Sequence, residues 1–94
     1  MFTLIVRYTV KPGYSEAVRE ILTRMLGPSR AEPGCVEYRV HRSLDDENLY
    51  VLYEQYLDQD ANEAHMQTSH FKQHILQEAV PLLVSRVRET FGTL

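Results

Sequence analysis

The chain has 94 residues, 44% of them hydrophobic, with a net charge of −3 when its four histidines are neutral. That length is one domain, residues 1–94, and a domain so short buries only about 60–65% of the surface its unfolded chain exposes, so a second copy is a common source of added stability. The lack of a basic stripe argues against nucleic acid, the single cysteine, Cys35, rules out an intrachain disulfide framework, and without a signal-peptide pattern or a membrane-length apolar run a cytoplasmic setting with no membrane partner is expected.

Phe2 to Val10 alternate Phe2, Leu4, Val6, Tyr8 and Val10 against Thr3, Ile5, Arg7 and Thr9, which predicts a strand stopped by Lys11-Pro12-Gly13. Ser15 reads as a helix N-cap, with Glu16 suited to the positive helix end. Val18, Ile21, Leu22, Met25 and Leu26 form one apolar stripe, and Gly27-Pro28 ends or distorts the helix. Glu32-Pro33-Gly34 is a turn. A second strand, Cys35 to Arg42, places Val36, Tyr38 and Val40 on one face, and a polar hairpin at 45–48 leads to a third, Leu49 to Leu57. Asp58 or Asp60 caps the next helix, the latter with capping-box spacing to Glu63. Ser69 restarts it with Phe71, Ile75, Leu76 and Ala79 as its stripe, Pro81 closes it, and Leu83 to Thr93 is a final strand. The order βαββαβ is the split-βαβ arrangement of an α+β, ferredoxin-like fold, an antiparallel four-stranded sheet with helices on one face.

Two helices cover only one face of such a sheet, yet the third strand is bulky on both: Leu49, Val51 and Tyr53 on one side, Tyr50, Leu52 and Tyr56 on the other. Leaving several such side chains wet forfeits a few kcal/mol at about 25 cal/mol per Å². A homodimer closed sheet against sheet is the expected remedy.

Ser29-Arg30-Ala31-Glu32-Pro33-Gly34-Cys35 with Tyr38, then Tyr53-Glu54-Gln55-Tyr56, then Asp58, Ala61, His65, Thr68 or Ser69, and His70-Phe71 together resemble the antibiotic biosynthesis monooxygenase family over essentially the whole chain. The resemblance implies a dimeric α/β-barrel with a pocket between sheet and helices in each subunit. The family spans cofactor-free quinol and anthrone oxygenases, heme-degrading enzymes and a sugar-phosphate signal isomerase. Tyr56 stands where members commonly carry tryptophan, which leaves the substrate class open. The heme-degrading branch typically has an asparagine on the first strand and a histidine near Ile75; Arg7 and Ile75 depart from that pattern, so heme is disfavoured.

His65 is the leading candidate for a catalytic base, since imidazole titrates near neutrality; its structural alternative is to bond a backbone carbonyl at the helix break. Glu54 shares a face with Leu52 and Tyr56, where burial would raise its pKa and suit it to proton transfer, unless Arg7 or Arg39 pairs with it. Tyr56, Tyr38, Phe71 and His70 are the expected substrate-binding residues, the rings shaping an aromatic slot. His70 and His74 have the i, i+4 spacing of a metal pair, but no third ligand is evident and no metal is expected. Cys35 reads as an inert thiol, and the four glycines form no phosphate-cradling cluster, so no cofactor is expected. The reading is a cofactor-independent monooxygenase of a small electron-rich aromatic, a hydroquinone or polyphenol, with molecular oxygen as co-substrate. Its rivals are an isomerase of a small phosphorylated carbonyl, with Arg39 or Arg42 as phosphate clamp, and a non-catalytic dimeric ligand-binding or stress-response domain.

Overall fold

Alternation along the strands decides the layering in the computed structural model, which describes residues 1–94. Strands β1 (Phe2–Val10), β2 (Cys35–Arg42), β3 (Leu49–Tyr56) and β4 (Leu83–Gly92) form one antiparallel sheet in the order β2-β3-β1-β4. All four strands begin and end within a residue of the positions their side-chain alternation predicts, because period two requires one face to be buried. Leu4, Val6 and Tyr8 of β1 pair across β3 with Glu54, Leu52 and Tyr50, and all six are buried on one face. Helix α1 (Ser15–Arg24) covers that face with Val18, Ile21 and Leu22, and Met25 continues the stripe. The fold is ferredoxin-like.

Several expectations change. Ser15 is the first residue of α1 and not its cap; its hydroxyl donates to the Glu47 carbonyl and lies 3.2 Å from the Tyr50 hydroxyl, which donates to the Ser15 carbonyl at 2.9 Å. Of the two outcomes expected of Gly27-Pro28 the structure has the distortion: the helix breaks at Met25 and resumes as a short α2 (Leu26–Arg30) that contains the pair, where proline's missing N–H costs nothing because first-turn amides have no intrahelical partner. In β2 the register slips between Cys35 and Glu37, so Val36 swings out to 42% exposure and Cys35 joins Tyr38 and Val40 on the core side. A bulge places two residues opposite one and reverses the alternation beyond it.

Asp58, not Asp60, caps α3 (Gln59–Met66), its carboxylate accepting from the Ala61 amide at 2.8 Å. After α3 the Thr68 hydroxyl donates to the His65 carbonyl at 2.7 Å and accepts from the Phe71 amide at 3.2 Å. Thr68, not Ser69, therefore manages the break. The segment that follows, Phe71–Ala79, is a π-helix, in which the Val80 amide reaches back five residues to the Ile75 carbonyl. Its wider turn buries Phe71, Ile75 and Ala79 and leaves Leu76 exposed, against the α-helical expectation. A 3₁₀ turn, Val80–Leu82, leads into β4.

One close approach holds α3 on the sheet. A Cβ at Gly34 would collide with the Cβ of Ala61, and the Gly34 carbonyl accepts from the Leu57 amide at 2.9 Å just before α3. Gly34→Ala is expected to destabilise the chain by about 1–3 kcal/mol, the usual range for overpacking, with Gly27→Ala, where a Cβ meets nothing, as the control. Chemical denaturation of the two variants checks this; equal stability would remove the contact from the account.

Candidate functional site

Three separate segments meet under a fourth, α3. The Glu32-Pro33-Gly34 turn carries Glu32, β2 carries Tyr38, and β3 carries Glu54 and Tyr56. The last segment, α3 with the turn that follows, carries His65, His70 and Phe71. His65 is only 2% exposed. Its ring centroid lies 5.6 Å from that of Tyr38, 5.4 Å from Tyr56, 6.0 Å from His70 and 5.3 Å from Phe71. The six residues singled out in the sequence thus come together around one imidazole. Tyr38, Tyr56 and Phe71 are packed against the ring and line none of the four surface cavities, so they are walls of a filled core and not an open slot.

Two hydrogen-bonded groups, Tyr56–Glu54 and His65–Glu32–His70, face each other across one longer contact. The Tyr56 hydroxyl donates to Glu54 Oε1 at 2.6 Å, His65 Nε2 lies 3.7 Å from the same oxygen, and His65 Nδ1 is 2.8 Å from Glu32 Oε2. His70 Nε2 reaches that Glu32 oxygen at 2.7 Å. His65 therefore bonds a carboxylate and not the backbone carbonyl of the structural alternative. Neither Arg7 nor Arg39 pairs with Glu54: Arg7 is exposed on the opposite face, and Arg39 bonds Glu37 at 3.0 Å. Arg42 bonds Glu16 at 3.0 Å and stacks over Tyr50, so the clamp expected of an isomerase is not built from these two arginines.

Burial sets the electrostatics. Desolvation pushes the Glu54 carboxyl up to about 7, opposed by the Tyr56 hydrogen bond and by Arg86 and Arg88 at longer range. The Tyr56 phenol is held far above its usual range by burial and then by the Glu54 charge, and burial does the same to Tyr38. Burial lowers the His65 pKa, although Glu32 pulls the other way. The Cys35 thiol is raised to about 11 by burial and then by the Glu32 charge, which keeps it unreactive. Near neutral pH the cluster therefore holds a neutral imidazole beside a carboxyl that can take or give a proton.

His70 and His74 do not form a metal pair, since His74 Nδ1 is 2.8 Å from Glu78 Oε1. The donors that do converge are Glu32, His65 and His70, whose ligating atoms lie within 4.8 Å of one another. This two-histidine, one-carboxylate set could hold a divalent ion. The missing third donor was Glu32, concealed in a segment that reads only as a turn.

Sequence reasoning also missed the residues of an open space beside α3. A cavity of about 320 Å³ between α3 and the β1–β4 edge is lined by Phe2, Asn62, Met66, Arg88 and Thr90, among others. Asn62 lies one turn before His65 and is 2% exposed. Its Oδ1 accepts from Arg88 at 3.4 Å, and its Nδ2 has no partner. A buried amide donor left unpaired costs about 1–3 kcal/mol. Asparagine at mid-helix was the available signal, since it is a weak helix former there.

Residues 1–76 match the family model described as antibiotic biosynthesis monooxygenase. The chain is 35% identical over 68 residues to a Mycobacterium tuberculosis protein named "Putative monooxygenase Rv0793"; the match covers 72% of this chain and 66% of that one, just under two thirds of its length. It is 31% identical over 72 residues to a Bacillus subtilis protein named "Putative monooxygenase YcnE", covering 77% and 76% of the two chains. The crystal structure of PA3566 from Pseudomonas aeruginosa superposes with a TM-score of 0.93 at 34% identity, covering 99% of this chain and 93% of that one.

The raised Glu54 pKa makes a prediction about stability. The folded chain holds the proton from the unfolded value of 4.5 up to about 7. The uncharged carboxyl is therefore tolerated in full below 4.5, and that contribution is lost as pH rises through 7. Glu54→Gln keeps an acceptor for Tyr56 and cannot ionise. It should gain about 3 kcal/mol on the wild type between pH 4.5 and pH 8, at 1.36 kcal/mol per pKa unit. Urea unfolding of both chains across that window measures the difference; a gap independent of pH would contradict it.

Proposed function

This chain belongs to the antibiotic biosynthesis monooxygenase family, and we propose that it is a cofactor-independent monooxygenase acting on a small electron-rich aromatic, a hydroquinone or polyphenol. The observation that carries the reading is Glu54, a buried carboxyl raised to about 7 beside a neutral imidazole, with an open cavity one helical turn away. That volume lies within the range of small-molecule sites, about 300–1,000 Å³.

A phenol entering from the Asn62–Arg88 side meets the Arg88 guanidinium at its oxygen. That charge would favour the phenolate that deprotonation creates. Glu54 and His65 take the phenolic proton. The electron-rich anion passes one electron to dioxygen, the two radicals join at a ring carbon, and the resulting peroxide loses water to give a hydroxylated quinone. One oxygen atom stays on the ring, the other leaves as water, and the substrate supplies all the electrons. The packed rings of Tyr38, Tyr56 and Phe71 keep water from the acid–base pair.

The dimer belongs to the same proposal. Ile5, Val51 and Tyr53 are partly buried on the sheet face that carries no helix, where Val87 is 50% and Phe91 47% exposed. A second copy covering this face would hold both sheets rigid behind their sites. Val87→Asp should shift light scattering from a 22 kDa-class particle, roughly twice one domain, toward the monomer; a wild-type monomer at micromolar concentration would refute the dimer.

Oxygen uptake with a panel of hydroquinones tests the reaction. Wild-type protein should consume oxygen after dialysis against a chelator, and His65→Ala should slow it by about 10²–10⁴-fold, the usual worth of a general base. Uptake abolished by the chelator and restored by a divalent metal would replace the cofactor-free mechanism, and an unchanged rate in His65→Ala would remove His65 from it.

A further inference from the structure

Glu32 takes no part in the mechanism above, yet it touches both histidines of the cluster. Its Oε2 lies 2.8 Å from His65 Nδ1 and 2.7 Å from His70 Nε2. A carboxylate only accepts hydrogen bonds, so each of these nitrogens must carry its proton. That fixes the tautomer of the neutral His65. On His65 the proton is on Nδ1 and the bare nitrogen is Nε2, which faces Glu54 Oε1 at 3.7 Å.

We propose that Glu32 is a positioning residue: it holds His65 through Nδ1–H so that the bare Nε2 points at Glu54, and it balances the charge when that nitrogen takes a proton. This inference rests on Glu54 and His65 being the acid–base pair. The proton that Glu54 receives from the substrate hydroxyl passes to His65 Nε2, Glu54 returns to its carboxylate, and the imidazolium faces Glu32. No electrons change hands in this step. The 3.7 Å separation is longer than a hydrogen bond; such contacts are often long before substrate binds.

Two features distinguish this arrangement from an incidental ion pair. Glu32 sits on a turn with little freedom, its amide donating to the Ser29 carbonyl at 3.1 Å, its carbonyl accepting from Cys35 at 3.1 Å, and Gly34 pressed against Ala61 two residues on. His70 occupies the same oxygen from the outer side, so the carboxylate cannot rotate away from His65 without breaking a second bond. A metal held by these three residues would require the opposite protonation, with both facing nitrogens bare.

Nitrogen-15 NMR of histidine-labelled wild-type protein, with no metal added, tests the tautomer directly. We expect His65 protonated on Nδ1 and bare on Nε2; a proton on Nε2 overturns the proposal. Glu32→Gln keeps the shape and removes the charge, and should lower kcat for hydroquinone oxidation by about 10²-fold with KM unchanged, while Glu32→Asp restores part of the rate. An unchanged kcat in Glu32→Gln also overturns it. If Glu32→Gln fails to fold, the wild-type spectrum still decides. Failure of the oxygenase reading itself would show separately, as absence of oxygen uptake by the wild-type chain.

Discussion

Glu54 points from the middle of β3 into the core, where no lysine or arginine comes within ion-pairing distance and its one such contact is His65. An ionised carboxylate there would cost several kcal/mol even after relaxation, against a total stability for a domain this size of about 5–10 kcal/mol. The chain meets that constraint by keeping the group neutral over most of the acid range and giving it the Tyr56 hydroxyl as a donor. The same solution leaves a carboxyl poised near neutral pH beside an imidazole that burial keeps uncharged.

The rest of the architecture serves this placement. Period two on β3 sends Tyr50, Leu52, Glu54 and Tyr56 inward as one row. The bulge at Val36 sets Tyr38 directly opposite Glu54. Asp58 and Thr68 fix where α3 starts and stops, which sets His65 over the row and turns His70 back toward Glu32. Gly34 lets α3 come close enough for those bonds to form. A displacement of α3 by the width of one methyl group would separate His65 from both carboxylates, so packing and chemistry here are one constraint.

The strands were legible because burial on one face imposes alternation, which β3 carries throughout and β1 from Leu4 onward. The inward direction of Glu54 follows from the same periodicity, whereas His65 stood out by its imidazole chemistry and its place before the Phe71 stripe. The bulge was not legible, since Val36 has the residue type of a core position and only the slipped register removes it. The π-helix was hidden for a related reason: Phe71, Ile75, Leu76 and Ala79 suit an α-helical stripe, and the wider turn excludes Leu76. Glu32 escaped notice because its partners lie 33 and 38 residues away; no local pattern records such a contact. The arginines expected to neutralise Glu54 failed for the opposite reason, being on neighbouring strands but turned to other carboxylates or to solvent.

The central claim is that the Glu54 carboxyl is neutral in the folded chain well above the ordinary carboxylate range. Carbon-13 NMR of glutamate-labelled protein, with Glu54→Gln to assign the resonance, reads that titration in place. A midpoint near 7 is predicted, and one near the ordinary 4.5 would contradict the account.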